Sequence, residues 1–321
     1  MMTNNKQHII VTGGAGFIGS HFVEKLLGNN YAVTIIDNYD PFYSKEIKIK
    51  NMAAFIHHPD VRFLELDIQD EAGLNNQLTD NYNAIVHFAA KAGVRPSIEN
   101  PILYQKVNVA GTQNLLEFAK RKEIKQFIFA SSSSVYGINK NVPWKESDGQ
   151  LYPISPYAST KISGELMGHV YSHLYGIRFI ALRFFTVFGP RQRPDLAIHL
   201  FSKKIINGEP INFFGDGSTK RDYTYVADIV EGVFNALRYT KSPYEIFNLG
   251  NKHTVSLAEM LQELETALNK KAIIRQLPEQ MGDVSITYAD ISKAQLALDY
   301  MPKTDFKSGV AEFKKWLLSG D

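Results

Sequence analysis

The strongest constraint on the fold is the regular alternation of short apolar segments with longer amphipathic ones. Six segments are rich in β-branched and aromatic residues and almost continuously apolar, as strands covered on both faces must be. Helices are predicted between them at Gly16–Leu27, Pro101–Lys122 and Ser155–Tyr175. Alternating strands and helices require right-handed crossovers, so we predict an α/β fold with a doubly wound, Rossmann-type parallel sheet. The predicted strands are Gln7–Thr12, Ala32–Asp37, Val61–Leu66, Ala84–Phe88, Gln126–Ala130 and Arg178–Arg183.

The pattern changes after about residue 188, where Pro, Arg and Gly become frequent. Helices are predicted in this part at Val226–Tyr239, Leu257–Leu268 and Lys307–Leu318. The region is too small to be independent, and we expect it to pack against the open end of the sheet as a smaller C-terminal α/β domain. The predicted division places residues 1–187 and 226–250 in the sheet domain, and residues 188–225 and 251–321 in the second domain.

Composition excludes several classes of function. The 321-residue chain has a net charge of +2 and 21% charged residues, which gives no sign of a nucleic-acid or membrane partner. The absence of Cys excludes disulfides, thiolate metal sites and cysteine nucleophiles, and no metal site is predicted. Residues 1–6 are too short and polar for a signal peptide, and no apolar run approaches the roughly 20 residues of a membrane span. We therefore predict a cytoplasmic protein.

A glycine-rich segment, Thr12–Gly19 (TGGAGFIG), joins the first predicted strand to the first predicted helix. Glycines let the backbone turn tightly and approach a pyrophosphate, while the helix N-terminus offers N–H groups and a partial positive charge. Such a match is weak by itself, because an ordinary strand-to-helix turn has similar residues. Its position at the first strand–helix junction favours dinucleotide binding.

Acidic residues follow the next two strands. Asp37 closes the second strand where a ribose-binding acid is expected, and it favours NAD because it would repel the 2′-phosphate of NADP. Asp67 and Ile68 follow the third strand and could cover the adenine, although an Asp at a strand end is often a helix cap. NAD is therefore the predicted cofactor.

Tyr157 and Lys161 stand four residues apart in a predicted helix and so share one face. A phenol with a pKa of about 10 is a poor base at neutral pH, but a nearby ammonium and a cationic nicotinamide favour the phenolate. Tyr-x-x-x-Lys is common on helices and carries little weight alone. The serine run Ser131–Ser134 ends the fifth strand, where active sites of this architecture lie, and supplies a hydroxyl donor. Together these residues predict removal of a hydroxyl proton as hydride leaves for NAD⁺.

Over its whole length the chain resembles the extended short-chain dehydrogenases/reductases. Their motifs have counterparts at Gly13–Gly19, Asp67–Asp70, His87–Ala90, Asn108–Thr112, Ser132 and Tyr157/Lys161. The resemblance implies catalysis by Ser132, Tyr157 and Lys161, with Ser133 as the nearest competitor of Ser132. Asn108 is expected to order backbone rather than to react. The resemblance also implies cofactor contacts from Gly13, Gly16, Phe17, Ile18, Gly19, Asp37, Asn38, Asp67, Ile68, Phe88, Ala89, Ala90, Lys91, Asn108, Tyr157 and Lys161.

The two residues before Val135–Gly137 distinguish members of that superfamily. Sugar-nucleotide dehydratases carry an Asp-Glu pair there, and UDP-glucuronate decarboxylases carry a Glu, whereas this chain has Ser133 and Ser134. A hydroxyl cannot replace a carboxylate as a general acid or base at neutral pH. Elimination is therefore disfavoured, which leaves oxidation and re-reduction at C4 of a sugar.

Two further segments resemble the UDP-glucuronate 4-epimerases. They are Arg183–Asp195 (RFFTVFGPRQRPD) and Gly282–Ala294; the UDP-glucose epimerases instead carry Asn-Pro-Val-Gly near the position of Thr186. Phe188, where Tyr is usual, and Pro96, where an aromatic residue often sits, depart from the pattern. The departures leave the choice of sugar less certain than the chemistry.

A guanidinium suits the carboxylate of a uronate substrate, and Arg193 is the predicted partner. A solvated loop or a phosphate contact remains an equal alternative for Arg191 and Arg193. The resemblance implies that Arg221 binds the diphosphate, that Phe214 packs on uracil and that Asp283 binds the uridine ribose, although Phe214 could equally be core. The full set of predicted substrate contacts is Ser132, Tyr157, Thr186, Arg193, Asn212, Phe214, Arg221 and Asp283.

The resemblance implies 4-epimerisation of a UDP-sugar, UDP-glucuronate first, through a transient 4-keto sugar with NAD retained. A UDP-glucuronate decarboxylase and a neutral-sugar 4-epimerase remain alternatives, and an inactive NAD-binding sensor is the alternative from another class. The family also dimerises through two long helices, here Pro101–Lys122 and Ser155–Tyr175, so a homodimer is predicted. Leu115, Phe118, Leu166 and Val170 could serve that contact or the intramolecular core.

Overall fold

The computed structural model describes residues 6–149, 151–278 and 284–320. The strands of these residues are β1 (His8–Thr12), β2 (Ala32–Asp37), β3 (Val61–Glu65), β4 (Ala84–His87), β5 (Gln126–Ser132), β6 (Arg178–Phe184), β7 (Thr186–Phe188), β8 (Pro210–Phe214), β9 (Lys220–Tyr225), β10 (Tyr244–Leu249), β11 (Thr254–Ser256) and β12 (Ile273–Leu277). The α-helices are α1 (Phe17–Leu27), α2 (Lys45–Met52), α3 (Glu71–Gln77), α4 (Val94–Glu99), α5 (Pro101–Tyr104), α6 (Gly111–Arg121), α7 (Pro156–Tyr175), α8 (Ala197–Asn207), α9 (Val226–Leu237), α10 (Leu257–Leu268), α11 (Ser292–Leu298) and α12 (Phe306–Ser319).

Seven parallel strands form the central sheet in the order β10-β6-β5-β4-β1-β2-β3. The predicted doubly wound sheet and its six strands are confirmed, with strand ends shifted by at most two residues. The seventh strand, β10, was not predicted as a strand. The chain order reverses between β1 and β4, so the loops that follow these strands open into one crevice.

Helices cover both faces of the sheet. On one face α1 and α9 pack together, and their buried residues join those of β1, β2 and β6 in one core cluster. On the other face α3, α6 and α7 bury a second cluster with β5 and β6. The edge strand β3 is only partly buried, contrary to the expectation of two covered faces, because an edge strand has a neighbour on one side only.

The helix predicted over Pro101–Lys122 is not a single α-helix. Between α5 and α6 the chain makes a π-helical segment, Gln105–Ala110. A π-turn carries one extra residue per turn, and hydrophobic periodicity cannot reveal so short a deviation. The segment packs against α7 and contains the buried Asn108. The π-turn therefore sets how Asn108 faces the crevice wall.

The C-terminal region contains two small sheets, β11-β9-β7 and β12-β8. Its own core includes Phe188, Ile198, Met260 and Phe313. Strand β7 crosses the predicted boundary at residue 187, and α11 packs on β10 and α9. We therefore propose the predicted two-domain division, but with β7 in the C-terminal domain and α11 in the sheet domain.

Two general properties follow from the described part of the chain. None of its helices combines the length and the apolar character that a membrane crossing would need. Within the same residues, no three His, Asp or Glu side chains are arranged to hold a metal ion.

Candidate active site

The glycine-rich loop is packed too tightly for side chains. Gly13 has φ +71°, and a Cβ there would lie 2.8 Å from the amide nitrogen of Ala89. A Cβ at Gly19 would lie 2.2 Å from the carbonyl oxygen of Gly13. No described side chain caps α1, and its first turn carries no acid. The loop and the helix N-terminus thus form a cradle suited to an anionic group such as a pyrophosphate.

Asp37 closes β2 beside this loop. Its Oδ2 accepts a hydrogen bond from the Ala15 N–H (3.2 Å), and its Oδ1 accepts from the Tyr39 N–H (2.9 Å). The Lys48 ammonium lies 3.6 Å from Oδ1, and both side chains are only 7% exposed. Burial raises the pKa of Asp37, and the Lys48 charge opposes that rise. Sequence reasoning missed Lys48 because the short helix α2 was not predicted.

The end of the crevice predicted for adenine is bordered by Asn38 and Asp67. The Asn38 side chain donates to Asp67 Oδ2 (2.8 Å), which joins the loops after β2 and β3. Asp67 also accepts from the Gln69 N–H (2.8 Å), so it shapes its own loop as well. The buried Ile68 lies between Asp67 and Gln69 and provides an apolar wall.

The loop after β4 forms the opposite wall. Lys91 makes an ion pair with Asp40 (2.7 Å). Asn108 accepts from the Lys91 N–H (2.8 Å), donates to the Lys91 carbonyl (2.9 Å), and donates to Thr160 (3.0 Å). Asn108 therefore stands behind the wall and orders its backbone; it is not among the residues that line the cleft, although it was also predicted as a cofactor contact.

These elements enclose a cleft of about 520 Å³. Phe42, Tyr43, Lys48, Phe185 and Leu196 also line it and were not predicted. The predicted residues that line the cleft are Gly13, Gly16, Phe17, Ile18, Gly19, Asp37, Asn38, Asp67, Ile68, Phe88, Ala89, Ala90, Lys91, Ser132, Tyr157, Lys161, Thr186 and Arg193.

The catalytic candidates meet at one end of this cleft. Ser155 caps α7 by accepting from the Ala158 N–H, which places Tyr157 in the first helical turn. Lys161 donates to the Ala130 carbonyl (2.7 Å) at the end of β5. Ser132 accepts from the Ser134 N–H (3.1 Å) and donates to the Ser134 hydroxyl (3.1 Å), and it is the serine of the run that lowers the pKa of Tyr157. Ser132 thus fits the role of the hydroxyl partner better than Ser133.

Burial acts oppositely on the two ionisable groups. It raises the pKa of Tyr157, while the nearby Ser132 hydroxyl and the charge of Arg193 lower it. It lowers the pKa of Lys161 to about 7, and the Glu165 carboxylate opposes this shift. Both shifts favour the neutral form of the group, because burial penalises charge of either sign. A further positive charge near the phenol would be needed to make it a good base at neutral pH.

Arg193 lies in the same cleft near Tyr157. Its Nε and Nη2 donate to the two carboxylate oxygens of Asp195 (3.0 and 2.7 Å), and its guanidinium lies 5.1 Å from the Phe42 ring centroid. Arg191 points elsewhere and forms an ion pair with Glu24 of α1 (2.7 Å). The two arginines, treated alike at the sequence level, therefore have different surroundings.

Three predicted substrate contacts, Asn212, Phe214 and Arg221, are not among the described residues that line the cleft. Asn212 is exposed on β8, and Arg221 donates to the Lys220 carbonyl (2.9 Å). The Phe214 ring lies 5.7 Å from the guanidinium of Arg95. Because Arg95 directly follows the cleft residue Val94, Phe214 lies near the cleft entrance. Asp283 lies outside the described residues.

A cleft lined by Ser132, Tyr157 and Lys161 at the end of a doubly wound parallel sheet is typical of an extended short-chain dehydrogenase/reductase. Residues 10–313 match the family described as GDP-mannose 4,6 dehydratase. The chain belongs to this NAD-dependent epimerase/dehydratase family.

Individual relatives are similar over nearly their full length. The UDP-glucuronate 4-epimerase of Thermodesulfobacterium geofontis is 38% identical over 311 residues, which cover 96% of this chain and 95% of the relative. The Bacillus cereus UDP-glucuronic acid 4-epimerase, solved with UDP-glucuronic acid and NAD, has TM-score 0.90 and 35% identity, covering 98% and 100% of the chains. The UDP-N-acetylglucosamine 4-epimerase of Methanobrevibacter ruminantium M1 has TM-score 0.90 and 33% identity, covering 98% and 99%.

Proposed function

We propose that this protein is an NAD-dependent UDP-sugar 4-epimerase that converts UDP-glucuronate to UDP-galacturonate. The observation that carries the proposal is the position of Arg193 in the cleft that contains Ser132, Tyr157 and Lys161. Similarity to UDP-glucuronate 4-epimerases supports it. Similarity to an epimerase of a neutral sugar leaves the sugar to be tested.

The described residues fit NAD. Glycines whose added Cβ would collide with backbone form the cradle for the pyrophosphate, and Asp37 offers a carboxylate to the ribose hydroxyls. Asn38, Asp67 and Ile68 border the adenine end, and Lys161 stands at the nicotinamide end. Bound there, NAD supplies a hydride acceptor, a hydride donor and a positive charge, and it is regenerated in each cycle.

The chain's own residues handle the proton. Tyr157 as phenolate accepts the proton of the sugar C4 hydroxyl, and Ser132 shares that hydrogen bond. Lys161, held by the Ala130 carbonyl, stabilises the phenolate by its charge. The resulting 4-keto sugar turns within the cleft while its UDP stays anchored, and Tyr157 returns the proton after reduction on the other face.

Arg193 and Thr186 are proposed to hold the C6 carboxylate of the uronate. The 4-keto intermediate is a β-keto acid, which loses CO₂ when the breaking C–C bond aligns with the carbonyl π-system. A guanidinium that fixes the carboxylate plane prevents this alignment. Ser133 and Ser134 stand where dehydratases and decarboxylases carry acids, so the cleft offers no carboxylate at those positions to drive elimination.

One observation favours a neutral-sugar 4-epimerase as the second candidate. Asp195 already occupies the Nε and Nη2 donors of Arg193. A uronate must therefore use the remaining guanidinium edge or displace Asp195, whereas a neutral hexose would leave the pair intact.

The test is a set of parallel assays with NAD⁺ and UDP-glucuronate, UDP-glucose or UDP-N-acetylglucosamine, with products identified by chromatography. We expect UDP-galacturonate to form with the highest kcat/KM. The variant Arg193→Lys should lose roughly 10-fold or more in kcat/KM for the uronate only, since a point charge replaces a two-pronged donor. UDP-pentose with CO₂ as the main products, or a preference for a neutral sugar, would contradict the proposal.

We also propose a homodimer formed through α4, α5 and α7. The sequence left open which apolar residues of the two predicted dimer segments, Pro101–Lys122 and Ser155–Tyr175, face a partner. Leu115 and Phe118 are fully buried in the intramolecular core, whereas Leu166 is 62% and Val170 47% exposed. Other large apolar side chains exposed on these helices are Ile98, Ile102 and Leu174. An apolar face of this kind is typical of a subunit interface.

A further inference from the structure

A buried ion pair lies directly beneath the catalytic residues and has no role in the chemistry proposed above. Glu165 stands one helical turn after Lys161 on α7, and Arg183 lies in β6. Arg183 donates from Nε to Glu165 Oε1 (2.9 Å) and from Nη2 to Oε2 (2.8 Å). The two residues are 2% and 3% exposed, so neither charge reaches bulk water.

A third group completes the cluster. Ser131 donates its hydroxyl proton to Glu165 Oε1 at 2.6 Å. Ser131 is paired with Arg183 across the β5–β6 ladder, so both donors approach the carboxylate from neighbouring strands. Glu165 therefore binds two strands at once, with hydrogen bonds to both of its oxygens.

The cluster of Glu165, Arg183 and Ser131 connects α7 to the end of β5 that carries Ser132. Lys161 donates to the Ala130 carbonyl, and Glu165 accepts from the next residue, Ser131. The residue after Ser131 is Ser132, which lines the cleft together with Tyr157 and lowers its pKa. Two consecutive contacts of one helix with two consecutive strand residues thus fix the separation of the Ser132 and Tyr157 hydroxyls.

Stability alone does not account for such a pair. Removing two charges from water costs about as much as their attraction returns, and apolar residues of similar volume often stabilise a core equally well. What the ion pair adds is geometry, because a bidentate guanidinium–carboxylate contact defines both distance and orientation.

We infer that Glu165 is a positioning residue of the active site. Through Ser131 and Arg183 it holds the Ser132 end of β5 against the helix that carries Tyr157 and Lys161. The inference rests on the proposed epimerase function, in which these three side chains move the proton. It adds a role for a residue that contacts neither cofactor nor sugar.

The negative charge of Glu165 has a second effect, on Lys161. Burial lowers the pKa of Lys161, and the Glu165 carboxylate raises it. The other groups facing this pair are His87 of β4, Arg183 of β6 and Tyr244 of β10. His87 is neutral, since burial lowers its pKa to about 3, and burial keeps Tyr244 a neutral phenol by raising its pKa. Glu165 is thus the carboxylate that helps Lys161 keep its proton.

The direction of the pH effect follows. Once the positive charge of bound NAD⁺ has favoured ionisation of the phenol, Lys161 stabilises the phenolate only as an ammonium, so activity is lost as pH rises through the pKa of Lys161 in that complex. Removing the Glu165 charge lowers that pKa, so activity should be lost at a lower pH. A purely structural role for Glu165 would not move this alkaline limb.

The test compares purified Glu165→Gln, Glu165→Asp and Ser131→Ala with the wild type, with NAD⁺ and whichever UDP-sugar the wild type turns over. Glu165→Gln should lose 10-fold or more in kcat, keep KM within a factor of about three, and shift the alkaline limb of the kcat profile to lower pH. Glu165→Asp keeps the charge, so it should lose kcat without that shift. Ser131→Ala removes one hydrogen bond and no charge, so a several-fold loss of kcat with an unmoved limb is expected.

Each outcome decides the inference. Wild-type kcat and an unmoved alkaline limb in Glu165→Gln would overturn it, as would a variant that loses only thermal stability. If Glu165→Gln does not fold, Glu165→Asp and Ser131→Ala decide, and wild-type kcat in both overturns the inference. A wild type that turns over none of the UDP-sugars contradicts the proposed function itself. Failure of the proposed function can thus be told apart from failure of the inference about Glu165.

Discussion

At the scale of single residues, the site depends on a tyrosine and a lysine that burial drives towards neutrality. The pKa of Tyr157 is raised and that of Lys161 falls to about 7, so the ligand-free pair is a weaker base than the motif suggests. The active form needs an ionised phenol beside a protonated Lys161, so the pKa of Tyr157 must fall below that of Lys161, as a bound cationic nicotinamide favours. The neighbouring Ser132, Arg193 and Glu165 each shift this balance towards the phenolate and the ammonium.

The residues that sequence motifs revealed are those whose chemistry is local. Tyr157 and Lys161 share a helix face and the serine run stands at a strand end, so their positions predict one site, and the family resemblance selects Ser132 from the run. Other contacts in and beneath the site join residues of different elements: Asp37 pairs with Lys48, and Glu165 pairs with Arg183. Nothing in the periodicity of either segment indicates such a contact, because tertiary packing creates it.

At the scale of secondary structure, the close approach of α7 to the sheet depends on two glycines. A Cβ at Gly164 would lie 2.3 Å from the Phe129 ring, and a Cβ at Gly168 would lie 2.2 Å from the Phe179 ring. These glycines are four residues apart and form one face of the helix. The catalytic helix can therefore lie on β5 and β6 closely enough for Lys161 to reach the Ala130 carbonyl.

The variant Gly168→Ala tests this packing. Alanine favours a helix by about 1 kcal/mol, but overpacking against Phe179 costs about 1–3 kcal/mol, so a net loss of stability is expected. The displaced helix should also lower kcat. Chemical denaturation and initial rates measure both effects. Gly28→Ala is the matched control, because the nearest atom to its Cβ is 3.4 Å away. Equal stability of the two variants would contradict the account.

The limits of prediction from sequence are also clear at this scale. Buried strands and amphipathic helices follow from hydrophobic pattern, so the sheet, α1, α7 and α10 were predicted closely. The π-turn at Gln105–Ala110 and the short helix α2 were missed, since neither segment is long enough to show a clear hydrophobic periodicity. β12 is mostly exposed and β8 buries only alternate residues, so neither is a continuous apolar run like the strands of the central sheet.

At the scale of the whole molecule, the cleft lies between the sheet and the loop that carries Arg193. That loop is tied to α1 by the Arg191–Glu24 ion pair and by a hydrogen bond from the His21 ring to the Pro190 carbonyl (3.0 Å). Because α1 also forms the pyrophosphate cradle, the sugar end and the cofactor end of the cleft are fixed to one helix. Of the proposed dimer helices, α7 packs on the opposite face of the sheet from α1, and α4 and α5 pack against α7.

The dimer proposal predicts that Leu166→Glu yields monomers. A charge at the centre of an apolar interface is left without compensation, whereas it is hydrated on a free surface. Light scattering at micromolar concentration measures the mass. Leu296→Glu is the matched control, because Leu296 is 85% exposed on α11, away from the proposed interface. A wild type that is already monomeric, or a Leu166→Glu variant that stays dimeric, would contradict the proposal.

The central claim is that the Tyr157 phenol transfers the proton of the sugar hydroxyl beside a resident NAD. Its most direct test is the turnover of Tyr157→Phe, with NAD and UDP-sugar binding measured by calorimetry. Tyr104→Phe is the control, since Tyr104 packs edge-on to Tyr157 and donates to the Ala92 carbonyl. The account predicts that Tyr157→Phe binds both ligands but loses about 10²–10⁴-fold in kcat, while Tyr104→Phe loses far less. Tyr157→Phe with kcat close to that of the wild type would contradict it.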